Sequence, residues 1–153
     1  MKFYKGFILF LFINFSALAI GSLLMNDGPR TEWYINLNQA PWSPPGWVFG
    51  VAWSSIMILF SVYMTFLIQV NRSKKVLTLF SIQFVLNIFW NYFFFNQHLV
   101  VLGLLNIIIL TLLMFYFLIA YKYSLQNKRF YVLPYCVWLV LATSLNLYIA
   151  LCN

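Results

Sequence analysis

The chain has 153 residues, of which 64% are hydrophobic, 22% aromatic and only 7% charged. That leaves too little polar surface to cover a water-soluble domain, so the solvent is a bilayer. The formal net charge of +7 comes from nine Lys/Arg against two Asp/Glu. These cations lie at the ends of apolar runs rather than on a folded basic patch, which excludes nucleic acid and assigns the charge to topology and anionic headgroups. Five apolar spans of about 20 to 24 residues can each cross ~30 Å of hydrocarbon. They predict an all-α membrane protein, a five-transmembrane-helix bundle forming a single membrane domain over residues 1–153, with helices over about 3–25, 47–70, 76–95, 99–121 and 131–151.

The first span opens with Lys2 and Lys5, an apolar run from Phe7 to Ile13 and the stretch Ser16-Ala17-Leu18-Ala19, which imitates a secretory signal. Apolar character continues from Ile20 to Met25, so the segment is read as a retained helix. A long, Trp/Pro-rich first loop follows. Asn26, Asp27, Gly28 and Pro29 mark its opening turn, and Asp27 to Trp42 is long enough to hold a short helix and fold back as a lid. From Trp33 to Trp53 the chain reads WYINLNQAPWSPPGWVFGVAW, with four tryptophans and three prolines. Indole is bulky, amphipathic and redox-active, so such a cluster suits the membrane interface or a flat aromatic ligand.

Span two is expected to start at Ser43-Pro44-Pro45, with Ser43 as N-cap and proline in the first turn. Trp33, Trp42 and Trp47 fit an interfacial aromatic belt. Trp53, nine residues beyond Pro44, lies ~13 Å below the outer edge at helical rise, too deep for that belt. Span three carries IQFVLNIFWNYFFF, in which Gln83, Asn87 and Asn91 recur every four residues with Trp90 alongside. Carboxamides cannot face lipid unpaired, so this stripe serves interhelical hydrogen bonding or lines a cavity. His98, in the turn before span four, reads as an interfacial residue, with haem ligation the sharper alternative. Span five has Pro134 in its first turn and places Trp138, Ala142, Leu145 and Asn146 on one face. Small Ala142 beside Trp138 leaves room for a planar guest or for close helix packing. Asn87, Trp90, Trp53 and Asn146 all fall in the outer half, with Trp138 as the floor of a pocket under the first loop. Cys136 and Cys152 have no metal or redox spacing and read as packing residues.

Eight of the nine cations fall on one side of a five-span topology: Lys2, Lys5, Arg72, Lys74, Lys75, Lys122, Lys128 and Arg129, with Arg30 alone opposite. The positive-inside rule puts the N-terminus in the cytoplasm, and the first loop and C-terminus outside. Asp27 and Glu32 are both in the first loop, so no Asp, Glu, Lys or Arg lies deep in a span. Proton relays and ion-coupled pumps need such groups, and five spans do not divide into paired inverted halves. A coupled transporter is therefore disfavoured, and no catalytic triad, carboxylate pair, phosphate loop or metal-ligand spacing is present.

The loop sequence, Gln83-Phe84-Val85-Leu86-Asn87 with Trp90, Phe93 and Phe94, and Pro134-Tyr135-Cys136-Val137-Trp138 with Ala142-Thr143-Ser144-Leu145-Asn146 occur in an order and spacing that resemble the translocator protein / tryptophan-rich sensory protein family (TspO/MBR, peripheral-type benzodiazepine receptor) over about residues 14 to 153. The resemblance implies a five-helix, homodimeric bundle that binds porphyrins such as protoporphyrin IX and isoquinoline or benzodiazepine-type ligands. By motif position the binding residues are Tyr34, Pro44, Trp47, Trp53, Asn87, Trp90, Trp138, Ala142 and Leu145, to which the polar stripe adds Asn146. Some similar bacterial proteins promote light-dependent porphyrin breakdown, and Trp53 and Trp138 are then the candidate catalytic residues. Leu145 and Tyr148 match the start of a cholesterol-recognition stretch, but no basic residue follows Arg129, so cholesterol transport is not implied. Span three lacks Gly and Ala for the family's proposed dimer packing, which leaves Ala17/Gly21 in span one as the better small-residue pair.

The expected function is an integral membrane receptor or sensor for a planar aromatic ligand, a porphyrin above all, requiring no resident cofactor. The alternatives are a light-dependent porphyrin-degrading enzyme and a passive tetrapyrrole or lipid carrier. The expected location is a bacterial plasma membrane.

Overall fold

The computed structural model describes residues 2–153. Its helices are α1 (Phe3–Leu24), the short α2 (Glu32–Ile35), α3 (Gly46–Val70), α4 (Lys74–Asn91), α5 (Val100–Ala120), the short α6 (Lys122–Leu125) and α7 (Leu133–Cys152). Among the described residues five helices are long and apolar enough to cross a membrane. They close into a ring in the order α1, α3, α7, α5, α4, so α1 is inserted between α3 and α4 and the sequence neighbours α3 and α4 are parted.

Local chemistry sets the helix ends. Ser73 caps α4 by accepting the Val76 N–H at 3.3 Å, and Thr31 caps α2 through the Tyr34 N–H at 3.4 Å. Ser43 does not cap α3, as the sequence suggested. The helix begins at Gly46, with extended Pro45 (φ −55°, ψ 147°) as its N-cap. Ser43 and Pro44 each precede a proline, whose ring pushes them out of the helical region, so α3 can start only after the second proline. At its far end α4 gives way to a π-helical turn, Tyr92–Asn96. The α5–α7 connection carries a 3₁₀ segment, Gln126–Val132.

In a bilayer, apolar character alone does not say which side of a helix faces inward. Phe12, Leu23 and Leu112 are all strongly exposed on the outer surface. The interior is marked instead by polar groups: Asn14, Ser61, Thr65, Gln83, Asn87, Asn106 and Asn146 are all buried. Around them pack Phe60, Tyr63, Met64, Leu110, Met114, Phe117 and Leu139. Asn14 donates to the Ser61 hydroxyl at 2.8 Å, tying α1 to α3. Asn106 donates to the Leu86 carbonyl at 2.8 Å, tying α5 to α4.

Ala17 and Gly21 are buried inside the protomer. A Cβ on Gly21 would meet the Asn91 amide nitrogen at 2.7 Å, so the small-residue pair brings α1 against α4 and does not present an outer dimer face. Cys136 is buried, but Cys152 is exposed at the end of α7 and is no packing residue.

Replacing Asn106 by Leu removes one interhelical hydrogen bond at nearly constant volume. The expected loss is about 0.6 kcal/mol, up to ~1.7, read as a lower thermal midpoint in detergent. The lipid-facing control Leu112→Ala should move that midpoint less.

Candidate functional site: an amide and indole cluster under a docked loop

The first loop folds back over one end of the bundle. Asn26 and Asp27 take left-handed conformations (φ 49° and 56°) and feed a 3₁₀ turn at Gly28–Arg30, which leads into α2. The loop is held at two separated places. On the α4–α5 side, Trp33 stacks on His98 with centroids 3.9 Å apart and 10° between planes, Trp33 meets Phe94 edge-on at 5.8 Å, and Tyr34 packs on Phe95 at 5.2 Å. On the α7 side, the Trp42 indole donates to the Ser144 hydroxyl at 3.1 Å and sits edge-on to Tyr148 at 5.4 Å. Asn38 and Asn153 exchange hydrogen bonds, with the Asn38 N–H donating at 2.8 Å and the Asn153 amide returning at 3.2 Å. Trp33 and Trp42 are therefore anchors of the lid, while Trp47 is 71% exposed at the start of α3.

Beneath the lid, α3 and α7 run antiparallel and pair two rings from each. Phe49 meets Trp138 edge-on at 5.3 Å, and one turn deeper Trp53 meets Tyr135 edge-on at 5.8 Å. Both are preferred aromatic geometries. Tyr135 is the centre of the arrangement: 1% exposed, its hydroxyl accepts the Asn87 amide at 2.6 Å and the Gln83 amide at 3.0 Å. These bonds reach from α4 across the interior to α7. Nearer the lid, Trp90 donates through Nε1 to Asn146 Oδ1 at 3.1 Å, and Asn146 donates to the Val100 carbonyl at 3.1 Å. Trp90 stacks on Phe94 at 5.4 Å, and Phe94 in turn touches Trp33 of the lid.

The structure therefore brings Trp53, Asn87, Trp90, Trp138 and Asn146 into one interior, with Ala142 and Leu145 buried on the same α7 face. Tyr34 joins from above as part of the lid. Pro44 is half-buried and, like Trp47, stays at the junction of loop and α3, outside the hydrogen-bonded and stacked set. The sequence reading missed Tyr135 as a site residue, although its spacing of three to Trp138 and seven to Ala142 placed it on the same face. Gln83 was in the stripe but not carried to the site. Phe94 and Phe95 reach the lid through the π turn, which no hydrophobic period announces.

Among the described residues three buried side-chain atoms meet no protein partner: Asn14 Oδ1, between α1 and α3, and Trp138 Nε1 and Gln83 Oε1 in the aromatic cluster. Exchanging the ends of the Gln83 amide does not help, because its nitrogen would then be the unpaired end. Buried donors and acceptors are rarely left so, since each costs about 1 to 3 kcal/mol. Among the described residues no group of three or more His, Cys, Asp or Glu could hold a metal ion.

An integral membrane protein whose first loop closes over a neutral cluster of indoles and carboxamides is thus defined. The chain belongs to the TspO/MBR family, whose profile matches residues 7–151. It is 30% identical over 140 residues to the tryptophan-rich sensory protein of Cereibacter sphaeroides, covering 92% of this chain and 86% of that one. It is 30% identical over 143 residues to the tryptophan-rich protein TspO of Archaeoglobus fulgidus, covering 90% and 92%. It is 29% identical over 120 residues to the uncharacterized membrane protein YtaB of Bacillus subtilis, covering 75% and 76%.

The lid depends on one close approach. A Cβ at Gly28 would strike the Cβ and ring atoms of Phe95. Gly28→Ala should therefore lift the loop, since overpacking of this kind costs about 1 to 3 kcal/mol. Trypsin cleavage after exposed Arg30 should rise roughly fivefold or more in the variant. Burial against Phe95 also raises the Tyr34 phenol above its ordinary value, so the docked loop favours the neutral form. That contribution is complete below the ordinary phenol range and is lost as pH climbs through the raised value.

Proposed function

We propose that the protein is a membrane receptor for planar aromatic ligands, porphyrins of the protoporphyrin IX type above all, with isoquinoline and benzodiazepine-type compounds as synthetic counterparts. One observation carries the reading: the unpartnered Trp138 N–H and Gln83 carbonyl, buried within the same aromatic interior. A flat ligand with polar edges offers both what the protein does not, while Trp53 and Trp138 supply stacking faces. As the rings stand, Phe49 covers Trp138, so a planar guest enters by displacing Phe49 from the indole. Membership of a family with members named as sensory proteins supports the same reading. The whole chain acts as one membrane domain in a bacterial plasma membrane, with the N-terminus cytoplasmic and the lid and C-terminus outside. A homodimer would use an outer face other than Ala17 and Gly21.

Titrating protoporphyrin IX into detergent-solubilised protein should quench tryptophan fluorescence saturably. The double variant Trp53→Phe with Trp138→Phe should bind about tenfold more weakly. An unchanged titration in that variant would rule out the site.

A second reading is favoured by the 5.8 Å contact of Trp53 with Tyr135: an indole beside a phenol is an electron-donor pair for a photoexcited tetrapyrrole. In that case illumination in air should bleach bound porphyrin faster than free porphyrin, and Trp53→Phe should abolish the difference. Equal bleaching by both proteins leaves binding alone. Passive carriage is the third, tested by porphyrin flux into proteoliposomes over empty vesicles.

A further inference from the structure

The end of the bundle opposite the lid carries eight of the nine cations, while both carboxylate side chains, Asp27 and Glu32, belong to the lid loop. No acidic side chain is therefore available there to pair with a base. Four of the eight rest on aromatic faces instead: Lys128 Nζ lies 4.3 Å from the Phe66 ring centroid, Arg129 sits over Phe130 at 4.8 Å, Lys122 over Tyr123 at 4.8 Å, and Lys75 over Tyr116 at 5.2 Å. Such contacts hold a cation in place without neutralising it.

Two adjoining depressions, both open to the surface, lie at this end, and Lys128 lines both. One, of about 240 Å³, is bounded by Phe66, Val70, Ser124, Leu125 and Gln126. The other, of about 320 Å³, is bounded by Asn127, Phe130 and Tyr131. The walls come from distant parts of the chain. Phe66 of α3 is flanked by Phe3 of α1 at 4.9 Å and by Tyr131 at 6.0 Å. The rim is formed by a strained residue, since Gln126 has φ 49° and ψ −125°, a conformation suited to glycine.

We propose that these cavities form a binding site for an anionic phospholipid of the adjacent leaflet. The phosphate lies against the Lys128 ammonium and the Ser124 hydroxyl, and the glycerol and upper acyl chain lie along Phe130 and Tyr131, both exposed on the outer surface. The half-apolar lining and the position at the end of the spans favour a lipid phosphate over a soluble one. The lack of any carboxylate at this end favours an anionic headgroup over a zwitterionic one, whose cation would find no partner.

The test is native mass spectrometry of the full-length protein released from nanodiscs containing equal phosphatidylglycerol and phosphatidylcholine. The wild type should retain one phosphatidylglycerol in preference to phosphatidylcholine. Lys128→Gln should lower that retention about fivefold, as expected for loss of one interfacial cation, and Lys74→Gln, the same charge change away from both cavities, should not. Ser124→Trp, which fills the first cavity and alters no charge, should lower it as well. Equal loss in Lys128→Gln and Lys74→Gln, or equal retention of the two lipids by the wild type, would overturn the proposal. So would inorganic phosphate adducts that form in lipid-free detergent and displace the lipid, since the site would then belong to a soluble anion. Porphyrin quenching at the opposite end is independent of every one of these outcomes.

Discussion

A carboxamide facing hydrocarbon leaves its donors and acceptors without partners, and this restriction orders the whole bundle. The helices are apolar on every side, so the hydrophobic effect cannot choose which face turns inward. Asn14, Gln83, Asn87, Asn106 and Asn146 make that choice, each on a helix that must aim it at a neighbour. The clearest case is α4, whose Gln83 and Asn87 both reach the Tyr135 hydroxyl of α7 across the interior. Fixing that pair of bonds sets the rotation of α4 and leaves Trp90, one turn further along, pointing at Asn146.

The same rotation couples the interior to the lid. Phe94 stacks on Trp90 from one side and meets Trp33 from another, so the loop and the buried amides share one aromatic chain of contact. The π turn at Tyr92–Asn96 makes this possible by placing one extra residue in the last turn, so that both Phe94 and Phe95 face the loop. Gly28 completes the fit by letting backbone lie where a side chain would strike Phe95. The lid is thereby joined to Trp90 through packed rings, without any charged group.

Much of this was legible in the chain. Span lengths, the asymmetry of Lys and Arg and the period-four amides of span three are each direct consequences of hydrocarbon thickness and hydrogen-bond satisfaction. The turn that opens the lid at Asn26, Asp27, Gly28 and Pro29 followed from turn chemistry, its left-handed geometry at Asn26 and Asp27 only from the structure. The parts that could not be read depend on tertiary or local steric detail. Ser43 looks like an N-cap until the two following prolines are considered as constraints on the residues before them. Ala17 and Gly21 look like a dimerisation pair, because small residues look the same whether the partner helix lies inside or outside the protomer. Trp33 and Trp42 share the composition of an interfacial belt, and only their partners His98, Ser144 and Tyr148 show that they secure the loop.

The two ends of the molecule follow opposite chemical rules, which narrows what the spans between them can do. Both acids, one base and the only histidine belong to the lidded end, and the remaining cations to the other. Between them stand indoles, phenols and carboxamides, none of which changes charge in the ordinary pH range. A site built from such groups recognises its guest by shape, stacking and hydrogen bonding, and a proton gradient has no handle on it. What the interior offers is geometry: ring faces on α3 and α7 spaced by one turn, and polar atoms on α4 and α7 left unpaired. The interior of this protein is in that sense defined by ring faces and amide groups without a charge among them, with the Trp138 N–H left free of a protein acceptor.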